Sequence, residues 1–597
     1  MYQSSPRRFS FRLSSRLLSS CAMVWMLTAC TGDVAEKPKS QTISHSKGAM
    51  GQSGEDGLTI DQEKMGASLE QNNLSPFLAG VLARNKLSHD ESAHYFAEAL
   101  EQDPGSIFLK QNAFAGYFNA GNYKRAALLA PTLASQSDNE LLHMISISDA
   151  IMKGDGQLAL DRGKDAPQKG YSFIIYPILK AWAAAQKGDA VQAYATLDEM
   201  QKISSLKLIA VEYAAYIAHY LNDLKRADAY YQQLVNDKTS KSVQAILAYA
   251  VFLTQQDRQD DFKVLVLGNK SRFPNNRFLS NLSLMTQEAR KGAPAYLKPA
   301  GSIGNLYELL ARDLSRYKDK RMALAFYNLA MFVKGPNTDI VMQQARLLSE
   351  LKEYNAAVEK YRLIPAKSRY GVMAFMGQVR GLFDAGRDDE ALKLLNDELL
   401  KNPKNLAVLN QLADYHRSHS NFEQALEFYN RLLAERLKPV ESDWYFYFAR
   451  GISLEQLDRW EQAEADFLFA LKLSPEQPDV LNYLGYSWVD RKINMIKAQE
   501  LIEKAAKLSP DNGYITDSLG WVYYLTGDYK RAVETLEKAV LIEAGDSTLH
   551  DHLGDAYWMV GRKIEARFQW RHALNGDADE DLKVLLRQKI KTGLKKP

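Results

Sequence analysis

The stretches DSLGWVYYLTGDYKRAVETLEKAV, from Asp517, and DHLGDAYWMVGRKIEARFQWRHAL, from Asp551, place the same residue types 34 positions apart. Leu519 answers Leu553, Gly520 answers Gly554, Tyr523 answers Tyr557, Gly527 answers Gly561, Ala532 answers Ala566, Leu536 answers Trp570 and Ala539 answers Ala573. A fixed period of this length commits a chain to stacked copies of one supersecondary unit, because each copy buries its apolar face only against the next. The central glycine ends one helix and permits the turn into the next.

Traced backward, the first small position falls at Gly554, Gly520, Gly485, Gly451, Ala413, Val379, Ala345 and Ala311, with spacings of 34, 35, 34, 38, 34, 34 and 34. LKPVES and RKINMIK absorb the extra residues, and Pro403, Pro475 and Pro510 close repeats. Upstream, Gly80, Phe114, Ser148, Ala181 and Ala215 continue at 34, 34, 33 and 34, supported by AGNYKRA at 120–126 and QKGDAVQA at 186–193. From Ser242 to Gly304 the pattern degrades: VFLTQQDRQDDF suggests one more helical pair, and RKGAPAYLKPAGSIG is a Pro/Gly-rich break. This reading divides the folded chain into a degenerate N-terminal block, 73–300, a C-terminal block of eight repeats, 301–575, and a capping helix with a basic tail, 576–597. It predicts an all-α, elongated solenoid in which repeats touch only their neighbours.

The pattern resembles the tetratricopeptide repeat, a superhelical solenoid of helix-turn-helix units. In that family, groove-facing side chains precede the small position by three and follow it by one and four. The resemblance therefore places Asn482, Tyr486, Asp517, Trp521, Tyr524, Asp551, Asp555 and Trp558 on one inner strip. Aromatic and amide groups interleaved with carboxylates suit an extended peptide. Trp521 and Trp558 also fit as half-buried packing residues. The strip does not match the lysine/asparagine clamp by which chaperone-binding repeat domains hold a C-terminal carboxylate.

At the other end of the chain, Arg7, Arg8, Arg12 and Arg16 precede an apolar run, Leu17 to Ala29, with no acidic residue in the first 29 positions. Such a run is too short to cross a hydrocarbon layer of roughly 30 Å but long enough for a secretory signal. It ends in Leu27-Thr28-Ala29-Cys30, which resembles the lipobox of bacterial lipoproteins and implies lipidation of Cys30 and a signal peptide spanning 1–29. Arg7-Arg8 also raises a twin-arginine signal, although Phe9-Ser10-Phe11 fits that pattern poorly. Thr31 stands where aspartate tends to retain a lipoprotein in the inner membrane, so the outer membrane is expected. Residues 30–72, rich in Ser, Gly, Lys, Glu and Gln, read as a flexible lipidated tether.

The chain has two cysteines, Cys21 and Cys30, so an acylated Cys30 leaves the mature protein no thiol for a disulfide, zinc cluster or nucleophile. Setting aside the four signal arginines leaves 71 basic residues against 72 acidic ones, which argues against nucleic acid as a partner. Arg587 to Lys596 carries five basic residues and no acid, and reads first as a solvated tail. GKDAPQKG at 163–170 lacks the phosphate-loop spacing, His416 and His419 have no partner completing a metal set, and His550 and His552 diverge on a helix. No serine lies in a nucleophile elbow. The expectation is a non-enzymatic protein with no cofactor and no metal.

NYLGYSWVDR (482–491), DSLGWVYYLTGDY (517–529) and HLGDAYWMVGRKIEARFQW (552–570) are similar to the C-terminal repeats of large outer-membrane tetratricopeptide lipoproteins of proteobacteria. The best understood of these are adaptors that bind a periplasmic carboxy-terminal processing protease and its substrates. The resemblance thus implies an adaptor delivering envelope proteins, such as peptidoglycan hydrolases, to such a protease. An assembly or pilotin-type lipoprotein for a secretion, pilus or polysaccharide-export complex is the alternative. A hydrolase with a degenerate insert in 242–304 is a third reading.

Overall fold

The computed structural model describes residues 75–594, apart from 241, 277, 278, 280, 282, 283, 285, 288, 289, 292–296 and 318. The expected signal, Cys30 and tether lie outside the described residues. Among the described residues there are 29 α-helices and no strand. None of these helices is long and apolar enough to cross a membrane.

Repeat identity is written into the backbone at one position. Seven residues after the small residue, the chain adopts left-handed φ at Leu87, Gly121, Gly188, Asn222, Lys352, Gly386, Ser420, Asp458, Lys492, Gly527 and Gly561. This residue swings the chain from the first helix of a repeat into the second. Where it is not glycine, the turn costs roughly 1–2 kcal/mol, which the helix packing on either side offsets. Asp257 has the same conformation, at φ 55°. The degraded segment therefore holds one more pair, Val243–Gln255 and Gln259–Lys270.

The second constant is a large buried residue 16 positions after the small one, seen in Phe96, Leu197, Tyr231, Tyr327, Tyr361, Tyr429, Phe467, Leu536 and Trp570. A Cβ on Gly554 would come within 2.5 Å of the Trp570 ring, and one on Gly520 within 2.6 Å of Leu536. Only hydrogen fits at these points, since close-packed interiors give little. In the repeat of Gly485 the partner is Ile502, one residue later, because of the extra residue in its turn. Helix starts follow local chemistry: Asn512 caps Tyr514 and Ile515, Asp528 caps Arg531 and Asp189 caps Gln192 through their side-chain oxygens.

The described residues divide into two compact units, one ending at Ala391 and the other beginning at Leu392. In the first, repeats do more than touch their neighbours. One core runs from Ala93 to Leu347, uninterrupted at residue 300, which lies in the helix Pro299–Arg316. Tyr307 shares a 2.8 Å hydrogen bond with Ser148, 159 positions earlier. Tyr213 donates to the Ser302 carbonyl at 3.2 Å. Tyr123 donates at 3.2 Å to Asn328, which also accepts from Gln344 at 2.7 Å. Farther along, Glu353 takes Arg321 at 2.8 Å and His89 at 3.9 Å. Helices of 299–361 thus return onto helices of 89–220, and the expectation of neighbour-only contacts does not hold in this unit.

In the second unit each pair packs on the next as the repeat dictates. It ends in the helix Glu580–Thr592, which covers the last pair through Leu586, Leu582 and Ile590.

Candidate functional site

The strip expected from the repeat register lies on the first helices of three successive pairs, Pro478–Asp490, Gly513–Leu525 and Ser547–Met559. Its eight residues do not form one uniform surface. Asn482 and Tyr486 are half-buried, and the side-chain oxygen of Asn482 has no hydrogen-bond partner among the described residues. Burial, with the charges of Asp517 and Asp490, raises the Tyr486 phenol well above its ordinary value.

Asp517 is buried, and His552 Nδ1 donates to its two carboxylate oxygens at 3.0 and 2.9 Å. Burial disfavours the imidazolium, yet the charge and hydrogen bond of Asp517, aided by Asp551 and Asp555, hold His552 above its ordinary pKa. The His552 ring stacks on Trp521 at 4.0 Å and the Tyr524 ring stacks on it at 4.7 Å, both nearly parallel. Trp521 is thus half-buried and engaged by two rings of its own chain. An imidazolium stacked on indole gains a cation–π term besides the apolar contact.

At the last repeat the strip is closed by the chain itself. Lys589 Nζ donates to Asp551 at 2.7 and 2.8 Å and to Asp555 at 2.8 Å. Asp555 also accepts from Trp570 Nε1 at 2.9 Å. Burial and the neighbouring Asp551 charge push the Asp555 carboxyl up to about 6, against the pull of Lys589 and His552. Trp558 packs on Trp570 at 5.4 Å, with Lys563 and Arg567 over its ring and the Gly593 backbone pressed against its edge. The structure thus joins Asp517, Trp521 and Tyr524 in one cluster. It assigns Asp551, Asp555 and Trp558 to the packing of the capping segment.

The sequence reading weighed His552 only as a metal ligand and Lys589 only as part of a tail, and joined neither to the strip. Lys589 belongs to the stretch read as a solvated tail, yet it is buried at 7% exposure. Its signal was positional: it falls three residues after Leu586 and next to Ile590, on the apolar face of the last helix. Upstream groove positions are likewise used internally. Asp414 accepts from Tyr429 at 2.6 Å and Tyr445 at 2.8 Å and pairs with buried Arg417, and Glu455 pairs with Arg491 at 2.9 Å. His416 stacks on Phe428, and His550 hydrogen-bonds Gln569 and the Ala544 carbonyl. Among the described residues no group of three or more His, Cys, Asp or Glu side chains is placed to hold a metal.

A tetratricopeptide-repeat family profile matches residues 376–440, and a second matches 518–546. The TPR repeat-containing protein PA4667 of Pseudomonas aeruginosa is 31% identical over 182 residues, a span of 30% of each chain. Among solved structures, the APC/C hetero-tetramer Cut9-Hcn1 aligns at a TM-score of 0.36 and 16% identity, over 87% of this chain and 98% of that one. A tetratricopeptide repeat protein from Parabacteroides merdae aligns at 0.29 and 16%, over 48% and 97%. The chain has an all-α fold of paired helices with tetratricopeptide repeats matched at 376–440 and 518–546, and repeats of this kind serve as protein–protein interaction scaffolds.

Proposed function

We propose that this scaffold is an adaptor lipoprotein of the outer membrane, facing the periplasm, that brings envelope proteins such as peptidoglycan hydrolases to a carboxy-terminal processing protease. The observation that carries the reading is the pairing of Leu27-Thr28-Ala29-Cys30, behind a short apolar run, with a long array of protein-binding repeats. A lipid at Cys30 and some 40 polar residues after it would let the repeats range on the order of 35 Å from the membrane, enough to meet soluble partners. The half-buried Asn482, Tyr486 and Tyr524 supply amide and phenol groups for a bound chain.

Affinity capture of the full chain from detergent-solubilised envelopes tests the reading, with Cys30→Ser as the companion variant. A processing protease and a cell-wall hydrolase should co-purify, and palmitate labelling should vanish in Cys30→Ser. Label that persists in the variant, or capture of secretion or pilus subunits in place of a protease, would overturn it.

A further inference from the structure

The helices Lys563–Asn575 and Glu580–Thr592 carry an outer face that the rest of the fold leaves uncovered. On the first, Ala566, Trp570 and Ala573 are buried. Ile564, Phe568 and Arg571 fall on the opposite side by helical spacing, with Ile564 83% and Phe568 64% exposed. On the second, Leu586 and Lys589 are buried, while Val584, Arg587 and Lys591 are exposed. Arg567 Nε donates to the Ile590 carbonyl at 3.2 Å. Lys563 and Arg567 lie over the Trp558 ring at 5.2 and 5.0 Å, and the Gly593 backbone packs on the same ring. The start of one helix and the end of the other thus meet at Trp558, which brings Lys563, Arg567 and Lys591 to one end of the pair. We infer that this outer face docks on an anionic phospholipid surface, with its cations on headgroup phosphates and Ile564 and Phe568 in the interfacial layer. The contact goes beyond the adaptor reading, since it needs neither Cys30 nor a protein partner.

The charges around the face select that occupant. Carboxylates of the helix pair are engaged within the chain: Glu565 by Arg562 at 3.0 Å and Glu580 by Lys583 at 2.9 Å, while Asp579 caps Leu582 and Asp577 accepts from the Ser547 amide. Asp581 is exposed, in the first turn of the last helix and away from Lys591. The side chains of Lys563, Arg571, Arg587 and Lys591 form no hydrogen bond or ion pair among the described residues. Earlier second helices are mixed instead: Glu500 stands one turn before Lys504 on Met495–Leu508, and Glu534 one turn before Lys538 on Tyr529–Ile542.

Ammonium and guanidinium groups make charge-assisted hydrogen bonds to phosphate. Basic residues beside exposed apolar ones on a helical surface match the boundary between headgroups and acyl chains, where both are satisfied together. Ile564 and Phe568 stand up from a helix face rather than line a cavity, and a fluid interface takes them without a complementary hollow. A second copy of the chain would set Arg571, Arg587 and Lys591 against their equals, which like-charge repulsion opposes. Nucleic acid would pair with the cations but leave Ile564 and Phe568 in water.

The test is hydrogen exchange of the full chain with phosphatidylcholine vesicles and with vesicles of phosphatidylcholine and phosphatidylglycerol in equal parts. The readout is confined to Lys563–Asn575 and Glu580–Thr592, so it holds whether or not a lipid keeps the chain on both kinds of vesicle. Phosphatidylglycerol should slow exchange in both helices at least about tenfold and leave Phe422–Ala434 unchanged. Lys563→Gln/Arg571→Gln/Arg587→Gln/Lys591→Gln should keep the helical circular dichroism signal and lose most of that slowing. Ile564→Ser/Phe568→Ser, with every charge in place, should reduce it as well. Absence of slowing with phosphatidylglycerol, equal slowing in the quadruple variant, equal slowing by polyglutamate in detergent, or slowing that follows protein concentration without vesicles would each overturn the inference. Palmitate label that survives Cys30→Ser removes the adaptor reading and leaves this contact standing.

Discussion

Lys589→Met should loosen the end of the second unit, in a pH-dependent way. The ammonium is 9% exposed and lies against Asp551 and Asp555 carboxylates that are 8% and 7% exposed. Removing one member of a buried charge set costs about 3–5 kcal/mol, because the remaining charges are left desolvated and unpaired. Here two like charges would remain side by side. A proton can relieve them, and Asp555 already holds one up to about 6 in the wild type. A carboxyl raised above its unfolded value binds more protons folded than unfolded, so its contribution falls as pH rises from 3.8 through about 6. His552, also raised, acts in the same direction: its contribution is full below 6.5 and lost as pH rises through its folded value.

Hydrogen exchange on the full chain, corrected for intrinsic rates, reads this out in Ser547–Met559 and Glu580–Thr592. Protection in Lys589→Met should collapse near pH 8, recover partly near pH 5.5, and be restored at pH 8 by adding Asp551→Asn and Asp555→Asn, which remove the uncompensated charge. Equal protection of variant and wild type at pH 8, or the same loss at both pH values, would refute the reasoning.

Gly554→Ala places a Cβ within 2.5 Å of the Trp570 ring and should cost about 1–3 kcal/mol through overpacking, seen as a lower melting temperature with altered tryptophan fluorescence. An unchanged melt would show that the helix pair gives way freely. Trp521→Ala removes the centre of the His552–Trp521–Tyr524 stack and should lower stability by about 2 kcal/mol in denaturant titration, where a purely ligand-facing ring would leave it unmoved. Asn328→Ala deletes the acceptor shared by Tyr123 and Gln344, a loss of about 1–3 kcal/mol. Exchange should then rise together in Tyr123–Ala134 and Lys320–Lys334, and a rise confined to the later helix would deny the return contact.

The repeat architecture was legible in the sequence because its determinants are local. A small residue, a turn residue seven positions on and a large residue 16 positions on all act within one helix pair, whose geometry is set by helix pitch and close packing.

Charge partners were illegible because their determinants are not local. Asp551 and Asp555 occupy groove positions by register, and only the seating of the final helix turned them into the counterions of a lysine 38 and 34 residues away. The return of Tyr307 onto Ser148 and of Asn328 onto Tyr123 was likewise beyond any local pattern. Small rotations per repeat accumulate along a solenoid, and their sum, which no single repeat encodes, decides which distant faces meet. What the sequence determined by itself was the unit and its register; the tertiary structure alone decided which groove positions are spent on the chain's own packing and which remain exposed.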